Sequence, residues 1–471
     1  MKYNDTIVAL ATPAGAGAIA VIRLSGENAI EVASNIFVSV FGKDLKKQKT
    51  HTVHLGHIKD GDRVIDQVLA TIFKNPNSYT GEDVVEFSCH GSNYIQQEII
   101  QLCLRKGSRM ATAGEFTLRA FLNAKMDLSQ AEAVADLIAS DSEASHQLAI
   151  QQMRGGFSNE IKMLREELLN FASLIELELD FAEEDVEFAN REEFQKLINR
   201  ITAVLKRLID SFATGNVLKN GIPVAIVGEP NVGKSTLLNS LLNEERAIVS
   251  DIAGTTRDTI EDEINIGGIS FRFIDTAGIR ETVDVIEGLG IKKTFEKMEA
   301  AQVVILLLNA KDFQNPKSKF QVDIELVKNK FPQKQLVIIA NKIDQISEVE
   351  KKRLFSELDN IVSSNQKSHS LLLSAKTGEG VEELKTTLLD FVNTGALRNN
   401  ETIVTNSRHY DALLKALEEI IKVQEGIDSG LSGDLLAIDI RQALYYFGEI
   451  TGEITNDDLL GNIFANFCIG K

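Results

Sequence analysis

The sequence predicts a multidomain protein of the α/β and α classes, with an N-terminal α+β domain, a discontinuous helical domain and an inserted doubly wound α/β domain. Short β-rich runs separated by Gly and Pro turns occupy roughly the first 120 of its 471 residues. Helical periodicity follows, gives way to strand–helix alternation and then returns. A chain of this length holds about three domains, and these changes of pattern give their order.

The N-terminal α+β domain is assigned to residues 1–120. Residues 6–10 and 19–24 are rich in β-branched side chains, and Pro13, Gly15 and Gly17 supply turn residues between them. Apolar runs of this kind bounded by Gly and Pro predict short strands joined by turns.

The helical domain is predicted in two parts, residues 121–220 and 393–471. A capping box of Ser129 and Glu132 precedes an apolar run, and apolar residues recur at steps of three and four from Ile161 onward. The second part has the same helical pattern but is too short for a good core of its own. We therefore expect the two parts to share one core.

The α/β domain between them, residues 221–392, carries a nucleotide-binding motif. Residues 228–235 read Gly-Glu-Pro-Asn-Val-Gly-Lys-Ser, with a strand-like run before them and a helical run after them. In such a loop the glycines let backbone N–H groups surround phosphates, Lys234 reaches the β and γ oxygens, and the Ser235 hydroxyl ligates Mg²⁺. The motif predicts a nucleoside triphosphate site.

Four later segments complete the predicted nucleotide site, and one of them selects GTP. Residues 275–278, Asp-Thr-Ala-Gly, end a strand where the γ-phosphate would be sensed, and Thr256 can ligate Mg²⁺ in the triphosphate state. Asp344 can accept two hydrogen bonds from guanine that adenine lacks, and residues 374–376 complete a base pocket. Together these motifs resemble those of the Ras-like GTPase superfamily. The predicted GTP contacts are Asn231, Val232, Gly233, Lys234, Ser235, Thr236, Ser250, Asp251, Ile252, Ala253, Gly254, Thr255, Thr256, Asp275, Thr276, Ala277, Gly278, Asn341, Lys342, Asp344, Ser374, Ala375 and Lys376.

Ile279 departs from the pattern of that superfamily, which places a glutamine there to orient the attacking water. Hydrolysis must then use a charge or a water-positioning group from elsewhere, such as a bound metal ion or a neighbouring carboxylate. Arg280, Glu281 and Glu287 follow in the sequence, and each of them also fits the simpler interpretation of a solvated charge.

The C-terminal residues carry a second chemical signal. Cys468 and Lys471 place a thiol and an ammonium group on the chain end, where packing seldom demands either. Ile463, Phe464 and Phe467 just before them predict an apolar anchor, which a frayed terminus would lack. We therefore expect this tail to be chemically active.

Composition limits the class of protein. The net charge of −18 opposes the binding of phosphate backbones at long range, so RNA binding would need a partner or a local patch. The sequence has no run of eighteen apolar residues, no secretion signal at its start, and three cysteines without a disulfide or metal-binding pattern. Cys103 is expected in a core, whereas Cys89 stays ambiguous. These features predict a cytoplasmic protein.

The whole chain resembles the MnmE family, also called TrmE, of tRNA-modification GTPases. The resemblance rests on the GTPase motifs, the helical flanks, the segments 5–9, 11–13, 79–83, 114–116 and 120–123, and the final Phe-Cys-Ile-Gly-Lys. It implies a homodimer whose N-terminal domains bind 5-formyltetrahydrofolate or a related folate. Cys468 would then lie near the one-carbon unit, as a hypothetical nucleophile or acid–base group. By motif position the folate contacts are Arg23, Glu86, Lys125 and Lys471, although such charges also fit ordinary surface residues.

The resemblance also implies how hydrolysis proceeds without a glutamine at Ile279. G domains of the family dimerise across their switches and capture K⁺, and Glu287 matches the residue that organises the attacking water. The positions matching the K⁺ ligands are Asn231, Ser250, Ile252 and Thr255. The family works with an FAD-dependent flavoprotein, MnmG or GidA, in a heterotetramer or larger complex that acts on tRNA and involves no membrane. The implied product is an aminomethyl-type group, such as carboxymethylaminomethyl, at C5 of the wobble uridine.

The sequence lacks the features expected for two other functions. A ribosome-assembly GTPase like Era would be a binding switch without one-carbon chemistry, and it would carry a basic RNA-binding tail that does not follow the α/β domain here. A mechanical GTPase resembling dynamins would bind membranes, and no basic amphipathic or apolar membrane segment is visible.

Overall fold

A computed structural model describes residues 5–180, 191–246, 262–274, 295–314, 320–362, 368–392, 402–455, 457–465 and 467–470 of the protein. The chain forms two compact units, each assembled from segments that are distant in sequence. The first contains Met1–Ile138, Ile150–Lys206 and Asp411–Lys471, and the second contains Ala139–Ala149 and Arg207–Tyr410.

A seven-stranded sheet begins the first unit. Its order is β3-β4-β5-β6-β2-β1-β7, and all neighbours are antiparallel except β1 and β7, which are parallel. The strands are β1 (Ile7–Leu10), β2 (Ile19–Ser25), β3 (Phe37–Ser39), β4 (Thr52–Asp60), β5 (Arg63–Phe73), β6 (Val84–His90) and β7 (Arg109–Met110). Helices α1 (Ala29–Ser34) and α2 (Asn93–Arg105) pack on the sheet and share its apolar core. The predicted α+β fold and its first two strands are confirmed.

Helices from both ends of the sequence complete the first unit. They include α3 (Glu115–Leu122), α4 (Leu128–Ala139), α6 (Gly156–Asp180), α13 (Gly433–Thr451) and α14 (Asp457–Ala465). Helices α5 (Glu143–Met153), α7 (Arg191–Asn220) and α12 (Ser407–Asp428) run across the division between the units.

Contacts between the early and the late helices confirm the predicted discontinuous helical domain. Helix α6 packs on α13, and Arg165 in α6 forms a 2.7 Å ion pair with Glu453, just after α13. The side-chain amide of Gln195 in α7 also donates a hydrogen bond to Gln424 in α12. These residues precede and follow the α/β segment in sequence.

The apolar anchor predicted near the C-terminus is also observed. Phe464 and Phe467 are buried and pack against Leu128 and Ala131 in α4. Their ring centroids lie 5.1 Å apart. The last described residues are therefore fixed to the first unit by packing.

A six-stranded sheet organises the second unit in the order β13-β12-β11-β8-β10-β9. Its neighbours are parallel except for the β9–β10 hairpin. The strands are β8 (Ile222–Val227), β9 (Asp262–Ile266), β10 (Ile269–Phe273), β11 (Val303–Asn309), β12 (Gln335–Asn341) and β13 (Ser368–Leu372), and the helices are α8 (Lys234–Arg246), α9 (Phe320–Lys330), α10 (Glu348–Val362) and α11 (Val381–Asp390). Consecutive residues of β11 enter different cores, Ile305 on one face and Val304 and Leu306 on the other. The predicted doubly wound α/β fold is confirmed. Among the helices described, none is both long and apolar enough to cross a membrane.

Candidate functional site

The loop that joins β8 to α8 forms a cradle in which two positions require glycine. Gly228 has φ +149°, and a Cβ there would lie 2.2 Å from the carbonyl oxygen of Leu307. Gly233 has φ +104°, and its Cβ would lie 2.3 Å from Nδ2 of Asn341. The backbone approaches its neighbours so closely at both positions that glycine alone fits. The loop leads directly into the N-terminus of α8, which is a favourable place for a phosphate.

The first residue of α8, Lys234, directs its ammonium group back into this cradle. Its Nζ donates hydrogen bonds to the carbonyl oxygens of Gly228 and Glu229, both at 2.8 Å. Burial, followed by the charge of Lys297, lowers the pKa of Lys234. A bound phosphate would offer this cation a negatively charged partner in place of neutral carbonyls. No sequence motif includes Lys297, so its proximity to Lys234 was not predicted.

Asn341, at the end of β12, connects this cradle, which we call the phosphate cradle, with the loops predicted to bind the base. Its Nδ2 donates to the carbonyl of Val232 at 2.8 Å, while its Oδ1 accepts the backbone N–H groups of Lys342 and Ala375 at 2.8 and 2.9 Å. The side chain is 2% exposed. One buried amide thus holds three loops at the carboxyl edge of the parallel sheet, where ligands bind in such folds.

Asp344 and Ser374 meet in the region predicted to recognise guanine. The Ser374 hydroxyl, which is fully buried, donates to Asp344 Oδ1 at 2.7 Å. Asp344 itself is exposed, and its Oδ2 accepts no hydrogen bond from the residues that the structure describes. The carboxylate is therefore held in place at one oxygen while the other faces solvent. Such an arrangement can accept hydrogen bonds from a ligand.

The remaining described residues of the predicted GTP site lie on the same loops. Asn231 is exposed with a left-handed φ of 63°, and the ammonium group of Lys342 donates to its carbonyl. Ser235 is half-buried, whereas Thr236 and Lys376 are exposed. Other predicted residues lie outside the described part of the chain: Ser250, Asp251, Ile252, Ala253, Gly254, Thr255, Thr256, Asp275, Thr276, Ala277, Gly278, Glu287 and Lys471.

The first unit brings Arg23 and Glu86 together on neighbouring strands. The two residues are paired across β2 and β6, and Arg23 Nε donates to Glu86 Oε1 at 2.7 Å. The guanidinium carbon lies 5.7 and 5.6 Å from the ring centroids of Tyr79 and Phe116. The pair is thus half-buried beside two aromatic faces, a combination of groups that suits a flat, hydrogen-bonding ligand. Tyr79 and Phe116 were not predicted as site residues.

The C-terminal tail reaches the same arginine. Arg23 Nη1 donates to the carbonyl of Gly470 at 3.5 Å, and Ile469 forms an antiparallel bridge with Ala113. Cys468 is exposed, and its carbonyl accepts the N–H of Gly114 at 3.4 Å. Lys125 is placed by a different contact, because its Nζ donates to the carbonyl of Pro76 at 3.0 Å. The structure thus connects the tail with Arg23, the partner of Glu86, and it gives no direct contact between Lys125 and that pair.

A buried ionic cluster nearby was missed in the sequence. Arg119 is 1% exposed and forms ion pairs with Asp5, Glu82 and Glu115 at 2.6, 3.1 and 2.9 Å. Arg109 adds further pairs with Asp5 and Glu115, both at 2.6 Å. Burial opposes ionisation of Glu115, but hydrogen bonds from Arg109, the Thr112 N–H and Arg119 outweigh it and lower its pKa. The cluster fastens β1, β7 and α3 together.

Family profiles and individual relatives all indicate the same protein family. The profile of the GTP-binding protein TrmE N-terminus matches residues 6–125, and that of the MnmE helical domain matches residues 128–468. Proteins named tRNA modification GTPase MnmE from Christiangramia forsetii and Flavobacterium psychrophilum are each 72% identical to this chain, over 474 and 471 residues, and cover 100% of both sequences. The protein of the same name from Bacteroides thetaiotaomicron is 54% identical over 469 residues, which cover 99% of this chain and 100% of that one. The chain belongs to the MnmE family, also called TrmE.

Proposed function

We propose that this protein is a GTP-hydrolysing enzyme that modifies C5 of the wobble uridine in certain tRNAs. The observation that carries the proposal is the arrangement of Asn341, Asp344 and Ser374 beside the phosphate cradle, in a chain that belongs to the MnmE family. Asp344 would accept the guanine N–H groups, while Lys234 and the N-terminus of α8 would bind the phosphates.

Two cations complete the proposed reaction. Ser235 and Thr256 would hold Mg²⁺, and the K⁺ ligands would be Asn231, Ser250, Ile252 and Thr255. K⁺ would supply the positive charge needed at the phosphates, and Glu287 would orient the attacking water in place of a glutamine at position 279. GTP turnover in K⁺ should exceed turnover in Na⁺ at equal ionic strength, and equal rates would remove K⁺ from the mechanism.

A folate would bind to the N-terminal domain beside Arg23 and Glu86. The half-buried carboxylate of Glu86 suits the hydrogen-bond donors of a pterin, and Tyr79 and Phe116 provide aromatic surface next to it. Lys125 and Lys471 would attract the glutamate tail. The folate supplies a one-carbon unit, and Cys468 would act as a nucleophile or acid–base group close to it, with the thiol exposed on the tail.

The proposed assembly is a homodimer with an FAD-dependent flavoprotein of the MnmG type, acting in the cytoplasm. The proposed domains are residues 1–120 for folate binding and dimerisation, 221–392 for GTP, and 121–220 with 393–471 for the helical domain. The expected product is a carboxymethylaminomethyl or related aminomethyl-type group.

The proposal is tested by deleting the gene in its source organism and measuring tRNA nucleosides by mass spectrometry. Loss of the C5-aminomethyl wobble uridines, restored by the parent gene, is expected. Cys468→Ser should keep GTP hydrolysis but fail to restore these nucleosides. An unchanged profile in a strain without a redundant gene would contradict the proposed function.

A further inference from the structure

The charge of the chain is distributed unevenly, with the N-terminal part slightly basic. Residues 1–125 contain 14 Lys and Arg residues against 12 Asp and Glu residues, a net charge of +2. The remaining 346 residues contain 36 against 56, a net charge of −20. An RNA would therefore be repelled by most of the molecule and would meet the least unfavourable potential at the N-terminal part.

Five lysines concentrate positive charge at one place in that part. Four of them lie in the connection from β3 to β4, and the fifth follows β5. They are Lys43, Lys46, Lys47, Lys49 and Lys74, which we call the lysine turn. Lys74 Nζ donates to the Lys46 carbonyl at 3.3 Å, and the Lys74 N–H donates to Thr50 Oγ1 at 3.0 Å. These bonds fix the fifth lysine to the segment that carries the other four.

Acidic side chains do little to neutralise this cluster. Asp44, the one acid between Lys43 and Lys49, caps the short 3₁₀ helix Leu45–Lys47 by accepting the Lys46 N–H at 3.0 Å. Lys46 makes an exposed 3.4 Å ion pair with Glu31. Within the described residues, the other four lysines have no carboxylate within 4.0 Å. The lysine turn is thus a cationic surface in which one lysine of the five is paired with a carboxylate.

An exposed aromatic ring stands at the edge of this surface. Phe41 is 71% exposed, although a phenylalanine would normally be buried. It lies at the tip of a tight turn that is closed by a 3.3 Å hydrogen bond from the Gly42 N–H to the Ser39 carbonyl. Gly42 has φ +66°, which glycine adopts readily, and Lys43 follows immediately. Lysines around an exposed ring are the combination that binds unpaired nucleic acid, through phosphate contacts and base stacking.

We propose that the lysine turn and Phe41 form a tRNA-binding surface, in which the ammonium groups contact phosphates and the ring stacks on an unpaired base. This inference rests on the proposed function, because tRNA is the substrate that this function requires. An anionic bilayer would attract the same lysines, and the test below separates the two partners. Such a surface would allow a chain with a net charge of −18 to contact RNA directly.

The test measures binding of the full-length protein to a fluorescently labelled, unmodified tRNA transcript by anisotropy at several KCl concentrations. The double variant Lys47→Gln/Lys49→Gln should bind about 10- to 100-fold more weakly near 0.1 M salt, with a salt slope reduced by about two. Phe41→Ala should bind about tenfold more weakly with an unchanged slope, because stacking does not release counterions. The control Lys196→Gln/Lys352→Gln removes the same charge from two exposed lysines elsewhere and should bind like the parent.

The inference would be overturned by any of the following results. Lysine-turn and Phe41 variants that bind tRNA as tightly as the control would exclude the surface. Normal tRNA binding combined with lost binding to phosphatidylserine vesicles would assign the lysines to a membrane. A parent protein that neither binds tRNA nor restores the modified nucleosides would remove the proposed function together with this inference. If the parent restores the modified nucleosides and the variants bind tRNA as tightly as the parent, the inference alone fails. GTP turnover equal to that of the parent confirms that each variant is folded.

Discussion

The nucleotide site and the Arg119 cluster both depend on charged side chains, but the two regions satisfy these charges in opposite ways. Arg119 is buried and paired with three carboxylates. Lys234 donates to two neutral carbonyls, and Asp344 is exposed with one oxygen bonded to Ser374. A charge that already has its counterions serves the fold, whereas a charge held by neutral partners remains available to a ligand.

The difference follows from the cost of removing a charge from water. A buried guanidinium without a carboxylate would cost several kcal/mol, so the cluster must be complete before any ligand arrives. The groups of the nucleotide site are only partly withdrawn from solvent and need neutral hydrogen bonds that fix their direction. The comparison predicts that changes in the cluster reduce stability and that changes in the nucleotide site reduce affinity.

Asp344→Asn should give the largest effect on affinity. The amide loses two charge-assisted hydrogen bonds to guanine, so GTP binding should weaken about 10²- to 10⁴-fold while xanthosine triphosphate binding strengthens. Titration with fluorescent GTP and XTP analogues measures both, and the melting temperature should stay at the parental value. Asp390→Asn, at an exposed residue of α11, is the control. Unchanged GTP affinity would remove Asp344 from the base pocket.

Arg119→Met should give the largest effect on stability. It removes the cation that Asp5, Glu82 and Glu115 share and leaves Glu115 buried with Arg109 alone. Loss of one partner from a buried ion pair typically costs about 3–5 kcal/mol. Hydrogen exchange of amides in β1 and α3 would measure the loss of local stability, while GTP affinity should not change. Arg105→Met breaks a 2.9 Å pair with Asp60 that is half exposed, and it should cost at most about 1 kcal/mol. Equal losses of stability in the two variants would refute the distinction between buried and half-exposed ion pairs.

The same cluster should make the first unit sensitive to acid. The folded-state pKa of Glu115 lies below the ordinary value of 4.5, so its ionised form stabilises the fold. That contribution is complete above about pH 4.5 and is lost as the pH falls through the lower folded pKa. Exchange protection of β1 should therefore decrease as the pH falls below about 4.5, and the decrease should be shallower in Glu115→Gln. An identical pH profile in both proteins would separate acid sensitivity from this residue.

The two regions also differ in how far the sequence predicts them. The residues of the phosphate cradle are contiguous, and the strand before Gly228 and the helix after Gly233 could be identified from local pattern. Asp344 and Ser374 follow parallel strands, whose carboxyl ends meet at one edge of a sheet. Their positions were therefore predictable without knowing any other contact.

The Arg119 cluster could not be predicted in this way. Asp5 and Glu82 reach Arg119 from separate segments, and Arg109 joins the cluster through Asp5. Nothing local distinguishes these residues from surface charges. The register of β2 with β6, which pairs Arg23 with Glu86, depends equally on the complete sheet. The hydrogen bond from Lys125 to the Pro76 carbonyl likewise joins residues 49 positions apart, and its motif does not indicate it. Long-range pairing decides such contacts, and periodicity does not report it.

Ser374→Ala gives the smallest predicted effect and the finest test of the comparison. The hydroxyl is fully buried and donates to Oδ1 of Asp344, which leaves Oδ2 free of this contact. Removing it keeps the carboxylate charge but frees its orientation, so GTP affinity should fall about 3- to 10-fold, the equivalent of one ordinary hydrogen bond. Selectivity for GTP over XTP should persist, in contrast to Asp344→Asn. Ser370→Ala, in the neighbouring strand β13, is the matched control. If Ser374→Ala lowered stability and left affinity unchanged, this buried hydroxyl would stabilise the fold as the Arg119 cluster does. A charge hydrogen-bonded to neutral groups could then no longer be distinguished, on that ground, from a charge that stabilises the fold.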